Sequence, residues 1–344
     1  MSDETLAVAL DTIDSLVPEM EWKTRAMARG LMRGYDARWS DQAERMIVCE
    51  EEFVVPIWNL ANKGIKPSQS RTLKFAGKRD KRVLRNSSRW ILDHKTTSVD
   101  IQDPDATYWR QLAINAQASW YLLAGHYEDL GVEGIIWDVI RKPAIKPKKI
   151  AQTMQKSVVA GNPYCGFDVS DNAQAYIVEN GTENAELFEL RVTRETINDP
   201  DRYYQRKPIM RLLHDMVDDC QELWQLAQDV LYSRRCNWQP CNSNACLTYG
   251  SPCQYLGICS GHDTIDSDNW RRREQVHSEL DSIEGDGKNI ITTSRLACFQ
   301  NCRRKHHYRY DLGLERHDRE PSAALQFGTT FHAALDVWWK AYKL

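Results

Sequence analysis

The sequence predicts one α/β domain: a mixed central sheet flanked by helices. Two observations point there. Apolar, strand-like runs recur at 46–57, 71–84, 89–97 and 134–140, and helical periodicities are interleaved with them at 6–35, 107–124 and 208–232. The chain has 344 residues, 42% hydrophobic and 27% charged, with no low-complexity tract, enough to bury one large core.

The first helix rests on Leu6, Leu10, Ile13 and Val17, spaced for one face. A strand follows at 46–57. Residues 60–70 carry Asn62, Gly64, Pro67 and Ser68 and read as a turn. The strand at 71–84 contains Gly77, and Asn86-Ser87-Ser88 separates it from the run Arg89-Trp90-Ile91-Leu92-Asp93-His94-Lys95, so the two strands read as a hairpin. After the 107–124 helix and the 134–140 strand comes a basic run, Arg141-Lys142-Pro143 and Lys146 to Lys149. Residues 150–195 read as a helix and a strand pair around Asn180-Gly181, and 208–232 as a long amphipathic helix. The polar, Gly-bearing stretch 281–289 reads as a linker. Residues 292–344 read as two helices, the first capped by Ser294, the second running from Leu325 with Gly328 and His332 one turn apart.

No apolar run approaches the length of a membrane span. Met1-Ser2-Asp3-Glu4-Thr5 is acidic and lacks a leader's layout, so the expected location is cytoplasmic. The net charge of −3 argues only mildly against a nucleic-acid partner, because a narrow cleft can hold DNA in an acidic protein. The ten cysteines are unevenly spread: Cys236, Cys241, Cys246, Cys253 and Cys259 crowd one stretch, and Cys298 and Cys302 follow. In a reducing compartment such crowding favours metal or iron–sulfur ligation over disulfides, although the spacings match neither the common zinc knuckles nor the tight ferredoxin run. Free structural cysteines are the alternative.

Alternation along a strand puts Asp93 and Lys95 on one face and His94 on the other. An acid beside an ammonium suits cation-assisted phosphodiester cleavage. Asp80, in Gly77-x-x-Asp80 on the neighbouring strand, would bring a second acid to the same sheet edge. An ordinary solvated strand face is the alternative for each motif alone. Gln117 and Tyr121 share a helix face and could hold a phosphate or nucleotide; a half-buried helix face is the plainer reading. His332 becomes a ligand only with carboxylate partners, which Asp80 and Asp93 could supply. That mixed set suits magnesium or manganese.

Together these residues resemble the RecB-like branch of the PD-(D/E)xK nucleases, which includes the AddB nuclease domain, phage exonucleases and CRISPR-adaptation nucleases. The resemblance covers most of the chain. Residues 294–305 look like the family's opening helix, with Cys302-Arg303-Arg304 where a Cys-Pro-Arg element is usual, and Gly328 to His332 looks like its G-x-x-x-H motif. Asp80 matches the first acid, Asp93-His94-Lys95 the (D/E)-x-K, and Gln117 to Tyr121 the Q-x-x-x-Y. Cys246, Cys253, Cys259 and Cys302 match the four-cysteine pattern of the cluster-bearing members, with Tyr249-Gly250 and Cys253-Gln254-Tyr255 as similar context. Cys236, Cys241 and Cys298 are extra.

The resemblance implies a restriction-endonuclease-like fold with a helical iron–sulfur cap, a [4Fe-4S] cluster, and Mg2+ or Mn2+ held by His332, Asp80 and Asp93. It implies catalytic roles for Asp80, Asp93, Lys95, Gln117 and Tyr121, and exonucleolytic cleavage of DNA in recombination, repair or phage DNA processing. Lys142 and Arg206 are candidate phosphate contacts. The motif order is that of a circular permutation: residues 1–280 correspond to the family's C-terminal portion, 281–289 to the joint, and 290–344 to its N-terminal portion. A truncated second copy completed by another chain is the alternative to permutation. The alternative function is a non-catalytic iron–sulfur or zinc DNA-binding accessory module. A homo-oligomer or a recombination partner protein is left open.

Overall fold

Residues 3–16, 20–60, 68–248, 251–318 and 322–343 are described in the structure, a computed structural model. Their main sheet has six strands. β1 (Arg45–Asn59), β2 (Ser68–Arg85), β3 (Ser88–Thr97), β4 (Val132–Arg141) and β5 (Tyr204–Ile209) lie in that spatial order, and β6 (Ile290–Ile291) pairs with β2. The β1–β2, β2–β3 and β4–β5 pairs are antiparallel, whereas β3–β4 and β2–β6 are parallel. The sheet is therefore mixed. The β2–β3 hairpin turns at Asn86 and Ser87, both left-handed (φ 50° and 66°), the two-residue turn whose twist matches paired strands.

The strands are apolar on both faces because helices cover both. Met46, Val83, Leu92, Ile136 and Ile140 face one core with α1 (Asp3–Leu16), α2 (Trp22–Trp39), α4 (Ala185–Asn198) and α7 (Ala323–Trp339). Phe53, Phe75, Ile91, Ile135, Trp137 and Val139 face the other with α3 (Ala116–Tyr127), α5 (Leu213–Arg235) and α6 (Thr293–Asn301). Each fully buried Leu, Ile or Phe contributes roughly 1.5–3 kcal/mol to holding these layers together. Phe331, Leu335, Trp338 and Trp339 of α7 are buried against α1 and α2, so the two ends of the described sequence share a core.

Several local expectations need correction. The helix at 6–35 is two, α1 and α2. The helix at 107–124 is also two, Thr107–Ala113 and α3, broken where the Asn115 side chain accepts the Gln117 N–H as an N-cap. Residues 150–195 hold no strand pair. They form the helices Gln152–Val159 and Asp171–Asn180, then α4; Gly181 ends the middle one in the left-handed region and Asn184 caps α4. The long helix starts at Leu213 rather than near Pro208, because Lys207 to Ile209 still pair with β4. Thr292, not Ser294, caps α6, its hydroxyl accepting the Arg295 N–H. The 281–289 stretch is tied down: the Asp281 and Ser282 N–H groups donate to the Glu52 carboxylate, and Asn289 accepts from Lys74. Residues 61–67 of the expected turn and Tyr249-Gly250 lie outside the described residues.

Candidate active site

β3 and α3 build the first part of the site. Asp93 continues the Ile91 face of β3, and Lys95 shares it, with its ammonium 2.5 Å from Asp93 Oδ2. Gln117, placed in the first turn of α3 by the Asn115 cap, bridges them: its Nε2 donates to Asp93 Oδ1 and its Oε1 accepts from Lys95 Nζ, both at 3.1 Å. Burial pushes Asp93 up to about 6, with Lys95 pulling it down and the Asp80 carboxylate pushing it further up. Burial alone would lower Lys95, but Asp93 outweighs it, so the ammonium stays charged.

β2 and α7 build the second part. The β2–β3 ladder stops at the Lys81–Leu92 pair on this side, and the next N–H of β3, that of His94, is taken by Asp80 Oδ2 at 2.8 Å. His332 Nδ1 stands 3.9 Å from the same oxygen. Burial raises the Asp80 carboxyl, yet the His332, His94 and Lys81 charges hold it below the usual range. Gly77 makes room one turn of the pleat away: a Cβ there would lie 2.7 Å from Phe53 Cζ and 3.2 Å from Tyr121.

Asp80 and His332 line a cavity of about 540 Å³ together with Glu50, Thr96, Gly328 and Asp336 among others, whereas Gln117 lines a separate one. Glu50 and Asp336 escaped the sequence reading. Asp336 follows His332 by one helical turn, so the same helix face carries both, a signal that was present in the spacing. Asp336 pairs with Lys81 at 2.5 Å, a fully buried lysine where a strand core position would ordinarily be apolar. Burial pushes Asp336 up to about 6 against the pull of Lys81.

A buried polar group backs the site. His94 Nδ1 lies 3.2 Å from Asp138 Oδ2, which also accepts from the Tyr35 hydroxyl at 2.5 Å and lies 3.2 Å from Arg206 Nε. Burial brings His94 down to about 4, so the ring is neutral near pH 7. Burial raises Asp138, but Arg206 and His94 overrule it and leave the carboxyl at about 2. Asp138 was legible as one charge in the apolar run of β4, and went unread.

The other candidates divide. Tyr121 is buried and donates to the Lys78 carbonyl at 3.2 Å, while lining a 350 Å³ cavity with Gln117, Lys78 and Ser294. Lys142 is half-buried, with its ammonium 4.4 Å from the centre of the Phe327 ring. Arg206 is a correction: its side chain is 4% exposed, paired with Asp138 and Glu44 and laid over Trp39, so it has no free face for a phosphate. It sits on β5 pointing into the α1–α2–α7 core, which a surface reading of Tyr203-Tyr204-Gln205-Arg206 does not reveal.

Thiols gather at a distance from the acids. Burial raises Cys246, helped by its neighbours Cys241, Cys253 and Cys302; Cys259 is pushed up to about 11 by burial and by Cys241 and Cys253. Cys298 also feels Cys302 and Cys253. The Cys302 sulfur faces two backbone N–H groups, Asn242 and Lys305, each at 3.5 Å. Cys246 thus feels Cys253 and Cys302, and Cys259 feels Cys253, with Cys241 near both, but among the described residues no three thiols stand as a group that could hold a metal ion. Cys236 instead neighbours Tyr232 near the end of α5.

One comparison bears on the C-terminal segment. Residues 290–343 match the PD-(D/E)XK nuclease superfamily. That superfamily is one of nucleases, which act on nucleic acid and typically use a divalent metal. The matched stretch carries Cys302 and His332 and leaves Asp80, Asp93 and Lys95 outside it. No curated protein and no solved structure matches the chain. No helix among the described residues is long and apolar enough to cross a membrane.

The superfamily that matches residues 290–343 typically uses a divalent cation, and the donor types present suit one. Two carboxylates, which are hard donors, with one borderline imidazole suit Mg2+ or Mn2+. Asp93 Oδ2 is buried with no hydrogen bond, facing the Lys95 ammonium, and the Asp80–Asp93 repulsion is a charge that a cation would relieve. Among the described residues no three His, Cys, Asp or Glu side chains stand together as a group that could hold a metal ion: Asp80 is turned to His94 and Asp93 to Lys95.

Proposed function

We propose that the protein is a Mg2+- or Mn2+-dependent deoxyribonuclease that degrades DNA from ends or as single strands. One observation carries the reading: His332 of α7 approaches Asp80 beside the Asp93–Lys95–Gln117 group. Asp80, Asp93 and His332 are the residues that would hold the cation. When bound, it supplies Lewis-acid activation of the phosphate and a more acidic water. Lys95 would orient an attacking water and offset charge on the phosphoryl oxygens. Gln117 keeps the Lys95 ammonium and the Asp93 carboxylate aligned. Tyr121 braces the strand that bears Asp80, and Lys142, laid over Phe327 of α7, is the candidate phosphate contact.

The order of the motifs makes this a circularly permuted RecB-like nuclease, joined through 281–289. The pairing of β6 with β2 and the shared core of α1 and α7 support it, since both old and new ends then lie beside their counterparts. Cys246, Cys253, Cys259 and Cys302 hold a [4Fe-4S] cluster in this reading. Crowded, mutually repelling thiols and N–H groups aimed at the Cys302 sulfur are what a thiolate-bound cluster needs.

The test is digestion of 5′- and 3′-labelled single- and double-stranded DNA, and of a closed circle, with magnesium or manganese. Nucleotide release from ends that stops in Asp93→Ala supports the proposal. Cutting of the closed circle replaces exonuclease with endonuclease. Metal-dependent cleavage of none of them leaves the non-catalytic DNA-binding module.

A further inference from the structure

We propose that a basic pocket walled by Ser98, Arg141, Lys142 and Arg202 takes a phosphate group of the nucleic-acid strand, next along from the phosphate that is cleaved. The proposal rests on the nuclease reading above.

β3 and β4 run parallel and end together, with Thr97 opposite Arg141 and the Lys142 N–H donating to the Thr97 carbonyl at 2.7 Å. Past that end lies a cavity of about 220 Å³, lined by those four side chains with Pro143 and Tyr203 among others. It adjoins the cavity of Asp80 and His332 on two sides. Thr96 lines the Asp80 cavity and Ser98 the basic one, two residues on, about 7 Å of extended chain. On α7, Gly328 lines the Asp80 cavity, and the preceding Phe327 carries the Lys142 ammonium 4.4 Å from its ring centre. One nucleotide of an extended strand spans such a step.

The charges are only partly matched. Arg141 Nη1 is buried and makes no hydrogen bond, lying 3.1 Å from Oδ1 of Asp100, whose side chain is 60% exposed. Arg202 lies over the Tyr203 ring, with Nη1 3.9 Å from Glu195 Oε1. Lys142 has no carboxylate partner among the described residues: burial lowers its ammonium and no neighbouring acid raises it. A half-buried cation without a counter-ion is costly until an anion completes it. In a purely structural cluster each cation is matched, as Arg79 is by Glu51 and Glu128. Two guanidinium forks and an ammonium supply donors and no acceptor, which suits phosphate oxygens.

The test is binding, read without cleavage. Fluorescence anisotropy in EDTA follows single-stranded oligonucleotides carrying a 5′-phosphate, a 3′-phosphate or hydroxyls at both ends, with the wild type, Arg202→Ala, Arg141→Gln and Lys142→Met. Each variant is expected to bind about tenfold more weakly or worse, the effect of losing a hydrogen bond to a charged group. The slope of log affinity against log salt is expected to flatten by about 0.7, that of one single-strand phosphate. A loss confined to one phosphorylated oligonucleotide supports the pocket as the seat of a terminal phosphate at that end. An equal loss in all three supports a backbone phosphodiester. Arg202 is at the surface, so Arg202→Ala carries the test if the other two fail to fold. Affinity within about twofold of wild type and an unaltered salt slope in Arg202→Ala and in a folded Lys142→Met overturn the proposal. A wild type that binds none of the three oligonucleotides overturns it too. Magnesium-dependent cleavage by the wild type beside unweakened variants leaves the nuclease without this pocket. Weakened variants of a wild type that cleaves nothing keep the pocket and remove the nuclease.

Discussion

His332 Nδ1 and Asp80 Oδ2 stand 3.9 Å apart, although one lies on the last long helix and the other on the second strand of the sequence. Removing either acid of the site tests what this convergence does. Asp80→Ala and Asp93→Ala are each expected to lower Mg2+-dependent cleavage by at least about a hundredfold, the scale of losing one preorganised electrostatic partner. Labelled-DNA assays on protein with an unaltered circular dichroism spectrum check it; full activity in both variants would rule the site out.

Gln117 bonds to both Asp93 and Lys95, so its loss acts on alignment rather than on fold. Gln117→Leu is expected to cut kcat about tenfold while leaving the melting temperature near that of the wild type. Gln117→Glu retains the shape but sets a second carboxylate against Asp93 and is expected to cost at least as much. A Gln117→Leu enzyme with normal kcat contradicts the alignment role.

Lys81 is fully buried and its partner Asp336 half-buried, and a buried charge is costly to leave without its partner. Lys81→Met leaves Asp336 without its partner and is expected to destabilise by about 3 kcal/mol. Lys81→Met with Asp336→Leu removes both charges and is expected to recover most of that loss. Urea denaturation of the two variants decides between a paired and an independent role.

Asp336 also sets a pH dependence. Burial raises its carboxyl from 3.8 to about 6, with Lys81 pulling the other way. A group raised in the folded state contributes stability that is full below about pH 3.8 and is lost as pH rises through about 6. The stability difference between wild type and Asp336→Asn is therefore expected to shift against the wild type between those values, by roughly 1–2 kcal/mol. Denaturation curves at pH 4 and pH 7 measure it; a difference that is flat or reversed contradicts the sign.

Cys302 links α6 to the other thiols. Cys302→Ser is expected to abolish iron and sulfide incorporation in protein purified without oxygen, and with it any absorbance near 400 nm (roughly where iron–sulfur charge transfer falls). Cys236→Ser, placed near Tyr232, is expected to leave both unchanged. Equal iron content in the two variants contradicts the ligand assignment.

Much of this was readable in the chain. Alternation alone separated Asp93 and Lys95 from His94, and the structure places them on opposite faces of β3. The hairpin followed from Asn86-Ser87, and the two-sided apolar strands from the helices expected around them. What failed was local: a capping Asn115 inside a helical pattern and a Gly181 stop mistaken for a strand turn, both cases where one side chain or one left-handed residue outweighs periodicity. Arg206, Lys81 and Asp138 were hidden for another reason. A charged residue on a strand gives no sign of which partners from distant elements will neutralise it, and these three are matched by Tyr35, Glu44 and Asp336.

The strip Ile290–Ile291 lies beside β2 while the helix that follows it later closes against α1. Between them and the rest of the chain runs a polar segment with left-handed Gly285 and Gly287. A nick in that segment would produce two polypeptides, neither holding both Asp93 and His332. Their reassembly would turn the proposed catalysis into a complementation reaction, first order in each piece, so the same geometry makes this a candidate for a split reporter whose signal counts encounters.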